Sequence, residues 1–153
     1  MKFKNVEISV LGHASVMIKG SKIIYIDPYV LPTEPEKADV VVFTHEHYDH
    51  CANPSKIMKS DTVTIGANCK YAQISVSPGD VKEVNGVKLE FVPAYNLNKP
   101  FHPKGSGVGV IILIDNVRVY HAGDTDLIPE MKEFEGKVDV ALVPIGGTYT
   151  MTL

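Results

Sequence analysis

The amino-acid sequence predicts a single α+β domain, residues 1–153, in which strands outnumber helices. Short apolar runs rich in Val and Ile recur along the chain and are separated by Gly, Pro and Asn turn signals, as in strand-rich proteins. Helical patterns are few and short. The composition, 44% hydrophobic and 22% charged over 153 residues, is that of one globular domain with a buried core and not of a disordered chain.

In the first half of the chain, several segments predict strands by alternation or by apolar continuity. VEISVLG alternates, and SVMIKG and SKIIYIDP flank Gly20 and Ser21, which predicts a hairpin. ADVVVFT, residues 38–44, is a continuous β-branched run, as expected of a strand that is covered on both faces. DTVTIGA, residues 61–67, predicts one more strand.

The second half predicts two more hairpins and a last strand. GDVKEVNGVKLEFVPA has its turn at Asn85 and Gly86, and GVGVIILIDNVRVYHAGD has its turn at Asp115 and Asn116. VDVALVPI, residues 138–145, predicts a further strand.

Two segments carry helix signals. NPSKIMKS begins with Asn53 as an N-cap and Pro54 at the first helical position. LIPEMKEFEG has a similar Pro start and stops at Gly136. Residues 96–107 form a long polar loop rich in Gly and Pro, and such loops in compact domains often carry function.

Charge and apolar patterning exclude several function classes. The net charge is −3, the pI is near 6.0 and no run of Lys or Arg occurs, so a phosphate backbone is not favoured as the main partner. No window approaches the roughly 18 apolar residues of a membrane span, and the N-terminus turns polar at Asn5 and Glu7, without a signal-peptide core. Cys51 and Cys69 lack the spacing of a disulfide framework, as is typical of a reducing cytoplasm. We therefore predict a cytoplasmic protein whose partner is neither membrane nor nucleic acid.

Three imidazoles and a carboxylate are crowded into the stretch VVVFTHEHYDHC. A strand that ends at Thr44 delivers the next residues to the carboxyl edge of a sheet, where open α/β sheets bind ligands. His45 and His47 are two apart, so an extended backbone points both to the same side, and Asp49 and His50 follow as the chain turns. Imidazole together with carboxylate suits Zn²⁺, Mn²⁺ or Fe rather than Ca²⁺ or Mg²⁺. The sequence therefore predicts a transition-metal site here.

The segment THEHYDH resembles the T-H-x-H-x-D-H signature of the metallo-β-lactamase fold superfamily. LGHASVMIKG, YIDP, HAGDTD and PIGGTYTM agree with this resemblance in order and spacing. Together they resemble the branch that contains ascorbate-6-phosphate lactonase-like and related metal-dependent hydrolase proteins. The resemblance implies the αβ/βα sandwich of that superfamily, two β-sheets flanked by helices, incomplete at the C-terminus of this chain.

The resemblance also implies a site for two divalent transition metals, Zn or Mn, with Fe as a third option. The implied ligands are His45 and His47 for the first metal, Asp49 and His50 for the second, and Asp124 of HAGDTD as the bridge between them.

Several roles stay open at the level of the sequence. The remaining ligand of the first metal is Asn96, where the family has a histidine, or His102 in the same loop, or neither of the two. Asp27 of YIDP is expected to orient a ligand imidazole, with a plain turn as its alternative. His13 and Tyr149 are either substrate contacts or packed, hydrogen-bonded side chains.

Two further residues beside the motifs have structural interpretations. His121 is expected to be structural. Cys51 is expected to be a small core residue, with a soft metal ligand or an oxidation-sensitive thiol as its alternatives.

A metal site of this kind implies hydrolysis by a metal-activated water, which loses a proton near neutral pH. Asp49 and Asp124 would act at the reacting water, and an ester, a lactone or a phosphodiester would suit the site. No G-x-S-x-G nucleophile elbow is present. Lys99, His102 and Lys104 concentrate positive charge beside the site, which favours an anionic small-molecule substrate such as a phosphorylated sugar lactone.

The competing hypothesis is a non-catalytic metal-binding or assembly module. The family places a further histidine beyond PIGG, whereas this chain stops at Leu153. The strand VDVALVPI would then lie uncovered at a sheet edge, and we expect either a second copy of the chain or a separate C-terminal fragment to cover it.

Overall fold

The structure, a computed structural model, describes residues 1–94, 107–123 and 136–143, which form two β-sheets with their inner faces packed together. The described strands are β1 (Lys2–Phe3), β2 (Val6–Gly12), β3 (Ser15–Lys19), β4 (Ile23–Ile26), β5 (Val40–Phe43), β6 (Val63–Gly66), β7 (Ile74–Ser75), β8 (Val81–Val84), β9 (Val87–Ala94), β10 (Gly107–Ile114), β11 (Val117–His121) and β12 (Val140–Leu142).

The seven-stranded sheet has the strand order β1-β2-β3-β4-β5-β6-β7. It is antiparallel up to β4 and parallel from β4 to β7. Every residue of β5 is buried, so the prediction of a strand covered on both faces is confirmed. Because parallel neighbours need crossover connections, residues 27–39 and 44–62 pass over the outer face of this sheet.

The five-stranded sheet has the strand order β12-β11-β10-β9-β8, antiparallel except for the pair β11 and β12. Its two hairpins turn where the sequence predicts. Asn85 and Gly86 have φ of 47° and 79°, and Asp115 and Asn116 have φ of 50° and 63°. Positive φ at both central residues defines the type I′ turn, whose twist matches that of the flanking strands.

The main core lies between the sheets. Ile18 and Val42 of the first sheet and Leu89 and Ile112 of the second are fully buried in one cluster. Truncating one such side chain to Ala costs about 2–5 kcal/mol. A second cluster covers the outer face of the first sheet and contains Tyr25, Ala38, Val41, Phe43, Ile57 and Cys69.

Side-chain hydrogen bonds tie the sheets together at one end of the sandwich, which we call the turn end because it carries the turns at Ser21, Asn85 and Asp115. The carboxylate of Asp115 accepts bonds from the Ser21 N–H at 2.7 Å and from the Ser21 hydroxyl at 2.6 Å. Asn85 Nδ2 donates to the carbonyl oxygens of Asp39 and Asp61, both at 2.9 Å. Each bond joins a turn of the second sheet to the first sheet.

In the described ranges, the one predicted helix that they contain is shorter than the sequence predicts. The segment NPSKIMKS contains only a 3₁₀ helix, Ser55–Ile57, although the Asn53 side chain does accept the Ser55 N–H at 3.0 Å. Residues 127–135 of the other predicted helix lie outside the described residues. The described ranges contain no α-helix, so the α+β description is not confirmed there, and none of their helices is long and apolar enough to cross a membrane.

The physical reason for the short helix is competition from neighbouring segments. The Ile57 carbonyl accepts the Ala38 N–H at 2.7 Å, and the Lys59 N–H donates to Thr62 Oγ1 at 2.9 Å. These backbone groups are therefore not available to extend a helix, and the buried Ile57 side chain fixes the segment against the sheet. Tertiary contacts outweigh local helix signals here.

The cysteine prediction is wrong. Cys51 and Cys69 form a disulfide with a Cα–Cα distance of 5.6 Å, so Cys51 is neither a lone core residue nor a free thiol. The bond joins the loop after β5 to the segment after β6. Because β5 and β6 are parallel neighbours, both strands deliver these residues to the same edge of the sheet.

Candidate metal centre

The predicted metal residues follow β5 at the end of the sandwich opposite the turn end. We call this the site end and define it by Asp27, Thr44 and His50. Asp27 comes directly after β4, is fully buried and has φ of 49°. Its carboxylate accepts the Thr44 N–H at 2.7 Å and the Thr44 hydroxyl at 2.6 Å. The Thr44 carbonyl accepts the Val108 N–H at 2.8 Å, so β10 of the second sheet begins at the same place.

The buried Asp27 carboxylate also orients one imidazole. His50 Nδ1 lies 2.6 Å from Asp27 Oδ2, and the two side chains are 2% and 0% exposed. A carboxylate accepts the Nδ1 proton, which makes Nε2 the basic nitrogen of the ring. Nε2 faces Asp49, whose Oδ1 lies 3.6 Å away. This is the arrangement of a ligand imidazole with its orienting carboxylate.

Thr44 orients a second imidazole in the same way. Its hydroxyl proton goes to Asp27, so the oxygen can only accept from His45 Nδ1, 3.0 Å away. The hydrogen-bond network therefore assigns the Nδ1–H tautomer to His45 as well. Gly107 packs directly on this residue, and a Cβ at position 107 would lie 2.8 Å from His45 Cβ. Only glycine lets β10 approach so closely.

The three imidazoles of the signature form one cluster. The ring centroid of His45 lies 4.5 Å from that of His47 and 4.0 Å from that of His50. Three imidazoles at this spacing beside a carboxylate form a set of donors of the kind that transition-metal ions prefer.

Asp49 lies at the open rim of this cluster. Its side chain is 28% exposed, and its Oδ2 lies 4.0 Å from Nδ1 of His13, which is 55% exposed. His13 has φ of 50°, which few residues other than Gly adopt, although His is among the more tolerant. The turn between β2 and β3 thus brings His13 to the same rim as Asp49.

His121 fixes the end of β11 just before Asp124. Its Nδ1 accepts the Gly123 N–H at 3.1 Å, so its Nε2 carries the proton and donates to the Ala14 carbonyl at 3.0 Å. These two bonds agree with the structural interpretation of His121. Gly123 has φ of 67°, and a Cβ there would lie 2.7 Å from the Val108 carbonyl oxygen.

The structure brings together all six of the predicted site residues that it describes, while four others lie outside the described ranges. His13, Asp27, His45, His47, Asp49 and His50 share one end of the sandwich. The four that lie outside are Asn96, His102, Asp124 and Tyr149. Sequence reasoning missed Thr44, although the signature contains it, because its hydroxyl acts only through the folded contact with Asp27.

Within residues 1–94, 107–123 and 136–143, no group of three or more His, Cys, Asp or Glu side chains could hold a metal ion by itself. The donor chemistry nevertheless fits a divalent transition metal, because the bonds at Nδ1 make Nε2 the basic nitrogen of both buried imidazoles, and His50 Nε2 lies 3.6 Å from Asp49 Oδ1. A complete site needs further ligands. The sequence predicts them at Asp124 and at Asn96 or His102.

Comparison with known proteins defines the class of the chain. The family model described as "Beta-lactamase superfamily domain" matches residues 7–153, and the chain belongs to this family. A UPF0173 metal-dependent hydrolase from Methanoregula boonei is 38% identical over 160 residues, which cover 92% of this chain and 70% of that protein. The resemblance to the metallo-β-lactamase fold superfamily is therefore confirmed.

Solved structures agree with this assignment. A protein from Parabacteroides distasonis superposes with a TM-score of 0.84 at 34% identity, covering 96% of this chain and 73% of that one. Igni18, a metallo hydrolase from Ignicoccus hospitalis, gives a TM-score of 0.76 at 28% identity with the same coverage, 96% and 73%.

Proposed function

We propose that this chain is a metal-dependent hydrolase that uses a metal-activated water to cleave an ester, a lactone or a phosphodiester. The observation that carries the proposal is the buried pair of Asp27 and His50, which presents a basic imidazole nitrogen to Asp49 at an open rim. A buried Asp–His pair is costly to desolvate and adds little stability by itself. Such a pair is well suited to holding a metal ligand in one orientation.

The proposed site holds two divalent transition metals, Zn or Mn, with Fe as a third option. Bound metal would supply Lewis acidity and lower the pKa of a bound water to near neutral. His45 and His47 would hold the first metal with Asn96 or His102, Asp49 and His50 would hold the second, and Asp124 would bridge the two.

The protein side chains have separate tasks in this proposal. Asp27 and Thr44 keep His50 and His45 in the Nδ1–H tautomer, so that both rings offer Nε2. Asp49 is exposed enough to orient the attacking water and to accept its proton on an oxygen. Asp124 is proposed to act with it.

The substrate is proposed to be a small anionic molecule that approaches from the exposed rim at His13 and Asp49. The basis for the anionic charge is Lys99, His102 and Lys104 in the loop of residues 96–107, together with Tyr149 as a candidate contact. A cytoplasmic location also stays a prediction. Disulfides are usual in oxidising compartments and in intracellular proteins of hyperthermophiles.

The second candidate function is a non-catalytic metal-binding or assembly module. It is favoured by the absence, among the described residues, of a metal-holding group that is complete by itself. Among the described strands, β12 pairs only with β11, and the adjoining Val143 is 41% exposed, which also favours this function. A second copy of the chain or a separate C-terminal fragment is the proposed cover for that edge.

Hydrolysis of three probe classes distinguishes the two functions. Zinc-loaded and manganese-loaded protein is assayed with bis(4-nitrophenyl) phosphate, 4-nitrophenyl acetate and a γ-lactone. We expect metal-dependent turnover of at least one probe and a loss of about 100-fold or more in Asp49→Asn. Lys37→Ala is the matched control. Lys37 is exposed in the crossover of residues 27–39, and this variant should retain full activity. Stoichiometric metal with no turnover of any probe would favour the binding module.

A further inference from the structure

Two tyrosines and a histidine form a continuous row of rings beside the proposed metal centre. The ring of His13 meets that of Tyr29 edge-to-face at 5.2 Å, and the ring of Tyr29 meets that of Tyr48 edge-to-face at 5.7 Å. We call these three side chains the aromatic wall. Edge-to-face contacts leave ring faces and edges available to a further ring.

The aromatic wall is exposed to an unusual degree. Tyr29 and Tyr48 are 43% and 75% exposed, and they are the two aromatic residues among the large hydrophobic side chains on the surface of the described ranges. An exposed apolar patch on a protein commonly marks a place where something binds. His13 of the wall lies 4.0 Å from Asp49, and Tyr48 precedes Asp49 in the chain. The wall is therefore next to the proposed position of the scissile bond.

The two tyrosines of the aromatic wall are positioned by segments that also belong to the candidate site. These segments are the backbone at Asp27 and the loop of His47 and Asp49. Tyr48 lies in the chain between His47 and Asp49, so the loop that carries the proposed metal ligands also sets the position of Tyr48. The Tyr29 N–H bonds the Asp27 carbonyl at 2.7 Å and Ser15 Oγ at 3.0 Å. The Ser15 hydroxyl donates to the same Asp27 carbonyl at 2.6 Å, in the buried interior.

Space for a ring exists next to this wall. Tyr29 lines a cavity of about 510 Å³ together with Pro28, Leu31, Pro32, Thr33, Ala52, Asn53 and Lys56. The cavity is large enough for a six-membered ring and its substituents. A substrate ring that stacks on Tyr29 would contact the aromatic wall on one side and face this cavity on the other.

We propose that the aromatic wall is a substrate subsite that binds a planar aromatic group attached to the scissile bond. This inference rests on the proposed hydrolytic function and adds a substrate class to it. The metal end of the substrate would lie at Asp49, and its aromatic group would stack on Tyr48 or Tyr29. Tyrosine fits this task because it offers a large rigid face at low conformational cost.

Binding of three phosphonates tests the proposal without requiring turnover. Titration calorimetry compares phenylphosphonate with methylphosphonate on the zinc-loaded protein, and cyclohexylphosphonate serves as a non-planar apolar control. We expect phenylphosphonate to bind about tenfold more tightly than methylphosphonate, with cyclohexylphosphonate in between. Tyr48→Ala should reduce the phenyl preference about threefold or more, whereas Tyr48→Phe, which keeps the ring, should preserve it.

Nuclear magnetic resonance separates failure of the subsite from failure of the metal centre. The ring protons of Tyr29 and Tyr48 are followed during titration of the metal-free and the zinc-loaded protein with phenylphosphonate. Ring-current shifts in either form support the wall, even where no probe is hydrolysed. Equal binding of all three phosphonates, an unchanged preference in Tyr48→Ala, or no shift of either tyrosine in both forms would overturn the proposal.

Discussion

At the turn end of the sandwich the carboxylate of Asp115 bonds Ser21 across an exposed turn, whereas at the site end the carboxylate of Asp27 is fully buried against Thr44 and His50. Asp27 and Asp115 each come directly after a strand, and the carboxylate of each accepts several hydrogen bonds. The first bond set is solvated and ties two turns together, so it serves the fold. The second bond set is desolvated. In it, the Asp27 carboxylate accepts bonds from Thr44 and from the His50 ring, and so orients side chains of the proposed site. This contrast supports the proposal of a metal centre at the site end.

The charged groups near the turn end behave as ordinary structural pairs. Partial burial raises the pKa of Asp39, but hydrogen bonds from Lys59 and from the Ile23 N–H outweigh this effect and leave the pKa below its usual value. Because its ammonium donates a hydrogen bond to the Asp39 carboxylate, the pKa of the exposed Lys59 is raised. Solvent screens surface pairs of this kind, so they contribute little to stability.

The largest effect is expected from Asp27→Ala at the site end. The substitution leaves the buried Thr44 N–H and the His50 Nδ1–H without their acceptor, which costs about 3–5 kcal/mol of stability. Urea unfolding of the metal-free protein measures this cost. A loss below 1 kcal/mol would mean that Asp27 is not the buried anchor of the site end.

Asp27→Asn sharpens the same comparison without removing the side chain. An amide NH₂ facing His50 Nδ1 would force the ring proton onto Nε2, the nitrogen proposed to bind metal. We expect metal affinity to fall about 10- to 100-fold. Nitrogen-15 chemical shifts of His50 should report the tautomer change in the metal-free protein. An unchanged tautomer with unchanged affinity would contradict the assignment.

The next effect concerns the disulfide between Cys51 and Cys69, which closes a loop with a sequence separation of 18. Cys69→Ser should destabilise the protein by about 3 kcal/mol relative to the oxidised form, because the unfolded chain loses a cross-link. Unfolding with and without reductant measures it. The serine variant should show no dependence on reductant, and equal stability of both proteins in oxidising buffer would rule out a formed bond.

The smallest effect is expected from Asp115→Asn at the turn end. Hydrogen bonds from Ser21 lower the pKa of Asp115 from its usual value of 3.8. The folded state therefore binds this proton less tightly than the unfolded state, so the stabilisation is present above pH 3.8 and is lost as the pH falls through the lower folded value. Over that pH interval the free energy of unfolding should fall more in the wild type than in Asp115→Asn. The difference between the two losses should be less than about 1 kcal/mol. A larger difference at pH 7 than at pH 3 is the expected signature, and a difference independent of pH would contradict it.

The parts of the structure that the sequence predicts are those set by local chemistry. Asn85–Gly86 and Asp115–Asn116 are turns because of their own backbone preferences, and β5 follows from one uninterrupted apolar run. The crowding of His45, His47, Asp49 and His50 is likewise visible in six consecutive positions.

The parts that the sequence does not predict depend on distant contacts. Cys51 and Cys69 meet only because β5 and β6 pair in parallel, and Tyr29 meets His13 and Tyr48 only after three loops converge. The strands β1 and β7 are two residues long and are too short to give a periodic signal. The helix predicted at Pro54 shortens because the carbonyl of Ile57 is bonded by a neighbouring segment.

Metal content tests the central claim most directly. The purified chain and its His45→Ala/His47→Ala double variant are loaded with Zn²⁺ or Mn²⁺, dialysed and analysed by inductively coupled plasma mass spectrometry, with Asp115→Asn as the matched control. We expect bound transition metal in the wild type and the control, and loss of stoichiometric metal in the double variant. Undiminished metal in the double variant, or none in the wild type with either ion, would contradict a metal centre at the site end.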